Sequence, residues 1–181
     1  MKEVLLSLAR ASIKSHFTQG RVDVSFIEEE YPELLKQGAS FVTLSQGGKL
    51  RGCIGSILAR QSLLDDVLHN AKAAAFSDPR FLPLNEEELD ATSIEVSVLS
   101  APKLLEYNEV QDLKNKIRIG IDGVILKHGY HQATFLPQVW EELKDFDSFF
   151  SHLCQKANLA IGCLQSHPEI SVYQVEKVKD D

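Results

Sequence analysis

Long apolar runs are missing from this sequence. Nowhere do about 18 uncharged apolar residues follow one another, the length a membrane-spanning helix requires. The start, Met1-Lys2-Glu3-Val4-Leu5, offers neither a sustained apolar stretch nor a small-residue cleavage site. A chain outside the membrane with no export signal of that kind is expected. Cysteine is scarce: three residues, an odd number, exclude a fully paired disulfide framework within one copy, and a reducing, cytoplasmic setting is the expectation. Positive charge is also short, with 19 Lys+Arg against 26 Asp+Glu and a net charge of −7. A broad basic surface for nucleic acid is thereby disfavoured, and any anion site must be local. Gly47-Gly48 and Gly120-x-x-Gly123 match neither a P-loop nor a dinucleotide fingerprint, and the closely spaced cysteine triplet of an iron–sulfur cluster is absent. No cofactor is called for. What remains, 181 residues with 44% hydrophobic content, suits one domain with a sizeable core or two small subdomains sharing one.

Periodicity divides the chain into short elements. Leu5, Leu6, Ala9, Ile13 and Phe17 recur at helical spacing, and Gly20 closes that helix. Asp23 to Lys36 carries a helical pattern interrupted by Pro32. Phe41–Ser45 and Leu50–Ile57 flank Gln46-Gly47-Gly48-Lys49, a hairpin signal, because paired glycines supply the positive φ of a tight turn. Ser62-Leu63-Leu64-Asp65 resembles a capping box and starts the clearest helix, running to Phe76. Ile94–Val98 alternates as a half-buried strand does, and Glu109–Lys116 reads as a short helix. A second hairpin spans Val124–Leu136, helices are expected over Gln138–Leu143 and Phe146–Leu159, and a last strand runs from Ile170 to Val178. Hairpin, helix and strand thus occur twice, and an offset of 82 superposes Val42, Leu44 and Gly47 on Val124, Leu126 and Gly129, a pattern open to reading as a duplication. The expected fold is α+β: a mainly antiparallel sheet with flanking helices, in two interlocked subdomains.

Chemistry concentrates in Leu50-Arg51-Gly52-Cys53-Ile54-Gly55. Two glycines weaken a strand unless another backbone or a ligand comes close. Strand alternation places Leu50, Gly52 and Ile54 on one face and Arg51, Cys53 and Gly55 on the other. A cation beside a thiol raises its thiolate fraction, so Cys53 is a candidate nucleophile. Alternatively, Cys53 is packed core and Arg51 pairs with a carboxylate such as Glu95. No histidine is placed to serve as its base. His152, Cys154, Cys163 and His167 are all zinc-ligating types, but residues two apart on a helix diverge by about 200°. No metal site is expected, and Cys154 and Cys163 read as core filling. Glu86-Glu87-Glu88 reads as a solvated face or helix start, and Trp140 as core.

The Leu-Arg-Gly-Cys-Ile-Gly segment resembles the signature of the AMMECR domain family. The likeness continues through Phe41-Val-Thr-Leu44, Ala74-Ala-Phe76, Asp78-Pro-Arg-Phe81, Ile94-Glu-Val-Ser-Val-Leu99, Gly120-Ile-Asp-Gly123, Ala133–Trp140 and Leu153–Ala157. Asn158 stands where the family often has glycine, and the tail lacks a usual tryptophan. The resemblance implies a single domain over residues 1–181, with a larger and a smaller subdomain facing each other across a cleft. Arg51, Gly52, Cys53, Ile54 and Gly55 would line that cleft, with Asp78, Arg80, Glu95 and Ser97 nearby. It also implies a place beside a Memo-like protein and a radical SAM enzyme. The function expected is that of a binding or accessory component holding a partner, a peptide or a small molecule. A cysteine-dependent enzyme built on Cys53 is the alternative.

Overall fold

The computed structural model describes residues 1–180. Its chain forms two compact units: Met1–Leu99, rejoined by the residues from Glu176 onward, and Ser100–Val175. The fold is α+β with antiparallel sheets.

The first unit opens with helix α1 (Lys2–Thr18), which buries Leu5, Leu8, Ala9 and Ile13. The residue that ends it in the left-handed region is Gln19 (φ 52°), one before the expected Gly20. The Asp23–Lys36 pattern yields only α2 (Ile27–Glu30) and a 3₁₀ turn from Pro32 to Leu35, because the proline ring cannot continue the first turn. Strands β1 (Gln37–Gln46) and β2 (Lys49–Gly55) form the expected hairpin, with Gly47 and Gly48 at φ 55° and 76°. A two-residue strand β3 (Gln61–Ser62) pairs with the start of β1. Helix α3 (Leu63–Phe76) then starts under its cap, Asp65 N–H donating to Ser62 Oγ at 3.0 Å. A single turn, α4 (Glu86–Leu89), and strand β4 (Ser93–Leu99) complete the run.

The sheet order is β2-β1-β4-β9, where β9 is Val175–Lys179. Val42, Leu44, Ile94 and Val96 on its inner face pack with Val67, Ala71 and Ala74 of α3 and with Leu5, Leu8 and Ile13 of α1. One carboxylate lies inside this packing. Asp66, 1% exposed, accepts from Ser40 N–H, Ser40 Oγ, Asn70 Nδ2, Ser56 Oγ and Gln61 Nε2 at 2.7–3.2 Å. A buried charge is tolerated only when its lone pairs are so occupied, and this network ties α3 to the back of β1.

In the second unit, β5 (Lys103–Leu104), β6 (Gly123–His128), β7 (His131–Phe135) and β8 (Glu169–Tyr173) form a sheet in the order β5-β8-β6-β7. Helix α5 (Val110–Lys116) lies between β5 and β6 in the chain, and α6 (Phe146–Lys156) packs Phe149, Phe150 and Leu153 into a core with Leu113, Val124, Leu126 and Ile170. Trp140 is core, stacked on Phe149 at 3.6 Å between ring centroids, and its N–H donates to the Asp122 carbonyl. It sits on a 3₁₀ turn (Pro137–Glu141) rather than the expected α-helix.

Two expectations need correction here. The single last strand is two: it breaks at Gln174, β8 serving one sheet and β9 the other. Cys154 and Cys163 are not separate core fillers but are bonded to each other, so the cysteine count loses its force as a sign of a reducing setting. Asn158 takes φ 60°, which asparagine tolerates better than most non-glycine residues. In both units the first hairpin strand lies between its partner and a later antiparallel strand, β2-β1-β4 and β7-β6-β8, a parallel of architecture that carries no statement of descent. No helix among the described residues is long and apolar enough to cross a membrane.

Candidate functional site

The hairpin turn pairs Gln46 with Lys49 and Ser45 with Leu50, but Leu44 then faces Gly52. Arg51 is thus the extra residue of a β-bulge, which bends a strand and re-aims its side chains. The strict alternation expected for this segment fails at that point: Leu50 leaves the face of Gly52 and Ile54, and Arg51 and Cys53 bond to different residues. Arg51 turns to α4, where Nε and Nη2 donate to Glu88 Oε1 and Oε2, both at 3.2 Å, and Nη1 to the Leu82 carbonyl at 2.9 Å. Glu88 also accepts the Asn85 N–H, in the capping box of α4. The Arg51 bonds, then that N–H, lower the Glu88 pKa. Arg51 therefore pairs with Glu88, a residue read as solvated, and not with Glu95, whose partner is Lys177 at 3.5 Å.

Both signature glycines have steric causes. A Cβ on Gly52 would lie 2.1 Å from the Ala74 carbonyl oxygen, so its absence lets α3 approach β2 backbone to backbone. A Cβ on Gly55 would lie 2.2 Å from the Phe41 ring, which covers that position. Ile54 packs against the core beneath. Gly52 and Ile54 therefore belong to the side facing α3.

Cys53 is half-buried and its thiol is free. Its N–H donates to Asp78 Oδ2 at 2.9 Å and its carbonyl accepts from Arg80 Nη2 at 3.3 Å. Because β2 is an edge strand, Asp78 and Arg80 stand in for the missing neighbour and close its open hydrogen-bonding edge. With both backbone groups of Cys53 directed away from β1, Thr43 and Cys53 form a non-hydrogen-bonded ladder pair, the type in which facing side chains come closest. The Thr43 hydroxyl accordingly donates to Cys53 Sγ at 3.3 Å. Asp78 is itself gripped by Arg80 Nε and Nη2 at 3.0 and 2.8 Å and by the Arg80 N–H. Chiefly the Arg80 side-chain bonds, with the Cys53 N–H, hold its carboxyl well below the usual carboxylate range. The Arg80 pKa is raised, first by Asp78 and to a smaller degree by Cys53.

Cys53, Asp78 and Arg80 are thus joined directly. Glu95 faces Thr43 from β4, and the buried Ser97 faces Phe41, placing both on the Cys53 side of the sheet but one strand removed. Thr43, Phe41, Glu88 and Leu82 are site residues that the sequence reading did not include. Asn85-x-x-Glu88 was the available sign of Glu88, since a capping-box glutamate is held by its own helix start. Among the described residues no cluster of three or more His, Cys, Asp or Glu is placed to hold a metal, and the disulfide commits the two cysteines of the zinc reading.

The AMMECR1 family model matches residues 6–178. The chain belongs to the AMMECR1 family. It is 37% identical over 174 residues to a protein of Methanothermobacter thermautotrophicus, covering 95% of this chain and 89% of that one. A protein of Saccharolobus solfataricus is 41% identical over 166 residues, 88% of this chain and 72% of the relative. The crystal structure of an uncharacterized protein from Pyrococcus horikoshii superposes with a TM-score of 0.83 at 31% identity, covering 99% of this chain and 91% of that one. The bulged β2 strand and its Asp78–Arg80 clasp are therefore features of an AMMECR1-family member.

Proposed function

We propose that this AMMECR1-family chain is a binding component that engages a partner protein through the outer edge of β2. One observation carries the reading: the charged groups around Cys53 are already committed to one another. Arg51 is held by Glu88, and Arg80 by Asp78. Among the described residues the hydrogen-bond partner of Cys53 Sγ is the Thr43 hydroxyl, a donor, and no histidine or carboxylate bonds to the sulfur as a base. Such preorganised polar groups suit recognition, since little side-chain entropy is left to lose. They are flanked by exposed apolar anchors, Leu50 at 45% and Leu82 at 83% exposure, the mixture of anchor and polar surround that protein interfaces use. By family resemblance the partners are a Memo-like protein and a radical SAM enzyme. Calorimetry with each purified partner, using wild type, Leu82→Asp and Arg51→Ala, tests this. Association weakened at least tenfold by either substitution is expected; no association, or equal binding by all three, sinks the proposal.

The free, half-buried Cys53 thiol beside Arg80 favours one second reading, a nucleophilic cysteine. Iodoacetamide labelling across pH, with Cys53→Ser as control, separates the two. Labelling that rises only near the ordinary thiol value of about 8.5 removes the enzyme.

A further inference from the structure

A concavity lies in the first unit, away from the signature segment, where the end of α1 passes α3 and the loop after Gly20 closes over both. It measures about 330 Å³ and is lined by Ser12 and Ser15 of α1, Leu68, His69 and Lys72 of α3, and Gly20–Val24 without Asp23. That volume is at the lower end of small-ligand pockets, about 300–1,000 Å³. Its walls are chiefly apolar: Val22 and Val24 pack onto the core, as does Leu68. Its charged lining is all of one sign. Arg21 and Lys72 contribute cations and no carboxylate joins them, in a chain whose net charge is −7.

Four of the six arginines, Arg10, Arg51, Arg80 and Arg118, each hold a carboxylate at 2.6–3.2 Å. Arg21 and Lys72 have none among the described residues, and neither has Arg60, which lies outside this lining. The neighbouring acids are occupied: Asp23 accepts the Ser25 N–H and hydroxyl, Asp65 the Ser62 hydroxyl, and Asp66 is turned into the core. The two serine hydroxyls donate to carbonyls, Ser12 to Leu68 and Ser15 to Ser12, so the depth of the pocket has no spare hydroxyl donor for a polar ligand.

We propose that this crevice binds a small free anion carried on a short apolar chain, its head on Arg21 and Lys72 and its tail against Val22, Val24 and Leu68. The apolar wall gains by covering, and the unpaired cations at the rim select the sign of the head group.

Octanoate is the probe, followed by amide chemical shifts of the whole chain, with acetate (head without tail) and octylamine (same tail, opposite charge) as comparisons. Saturable shifts confined to residues 20–24 and 68–72 are expected for octanoate, with acetate and octylamine at least tenfold weaker. Arg21→Gln with Lys72→Gln, both exposed and outside the core, should weaken octanoate at least tenfold while leaving the remaining spectrum unchanged. Absence of saturable shifts, equal binding of octylamine, an unaffected double variant, or binding to phosphatidylglycerol vesicles without binding of octanoate each overturns the proposal.

Discussion

Gly52→Ala adds one methyl group where the structure leaves no room for it. The new Cβ would fall 2.1 Å from the Ala74 carbonyl oxygen and 3.1 Å from its carbon. Both atoms are helix backbone, so no rotamer change relieves the clash; either β2 or α3 must shift. Overpacking a well-filled site costs about 1–3 kcal/mol, and a clash that moves backbone belongs at the top of that range. With a urea slope of about 2 kcal/mol per molar, a loss of about 3 kcal/mol lowers the unfolding midpoint by about 1.5 M. The single tryptophan, Trp140, lies in the other unit, so the transition should be followed by amide signals of β1, β2 and α3. Two further alanines calibrate the result. Gly47→Ala meets no atom within 4 Å but must hold φ 55°, a cost of about 1 kcal/mol. Gly55→Ala meets the Phe41 ring, which can swing aside, and should fall between the two. A Gly52→Ala midpoint within about 0.3 M of wild type would refute the close approach of α3 to β2, taking an unfolding slope of this size.

Asp78→Asn should lower stability at pH 7 and flatten its acid dependence. The carboxyl pKa is depressed in the fold, so its contribution is complete above the unfolded value of about 3.9 and disappears as pH falls below it; thermal melts between pH 5 and 2 that run parallel for wild type and variant would contradict this. Reducing the Cys154–Cys163 bond, or replacing both residues by alanine, should cost roughly 2.5–3 kcal/mol by chain entropy, since the bond spans nine residues; melts with and without reductant check it. Burial pushes the Tyr173 phenol up to about 12, so ultraviolet titration should show a late tyrosine step that Tyr173→Phe removes. Its effect on stability appears only in alkali, because a raised folded pKa leaves stability whole below about 10 and erodes it as pH rises toward the folded value.

Helices α1, α3 and α6, both hairpins and β4 were legible because each rests on local facts: apolar period, a capping serine, paired glycines. The signature around Cys53 was legible for a different reason. Two glycines in seven strand residues break a local rule, and such breaks mark positions where something else approaches. Asp78 and Arg80 were named beside Cys53, although strand alternation alone does not bring them there.

The rest depended on contacts distant in sequence. A one-residue bulge at Arg51 leaves no mark in residue type, yet it shifts the pairing of β2 beyond it, and because β1 lies between β2 and β4 it is Thr43 that meets the thiol, while Glu88 rather than Glu95 meets Arg51. The break at Gln174 is invisible in an alternating run, because alternation reports which side is buried and not which sheet supplies the neighbour. The pairing of Cys154 with Cys163 required the turn that brings α6 back on the following 3₁₀ segment. Composition and periodicity thus determined the class of fold, the elements and the segment that carries the chemistry. Only the tertiary structure decided which charges neutralise one another around Cys53 and which, at Arg21 and Lys72, stay unpaired, because register and packing set those distances.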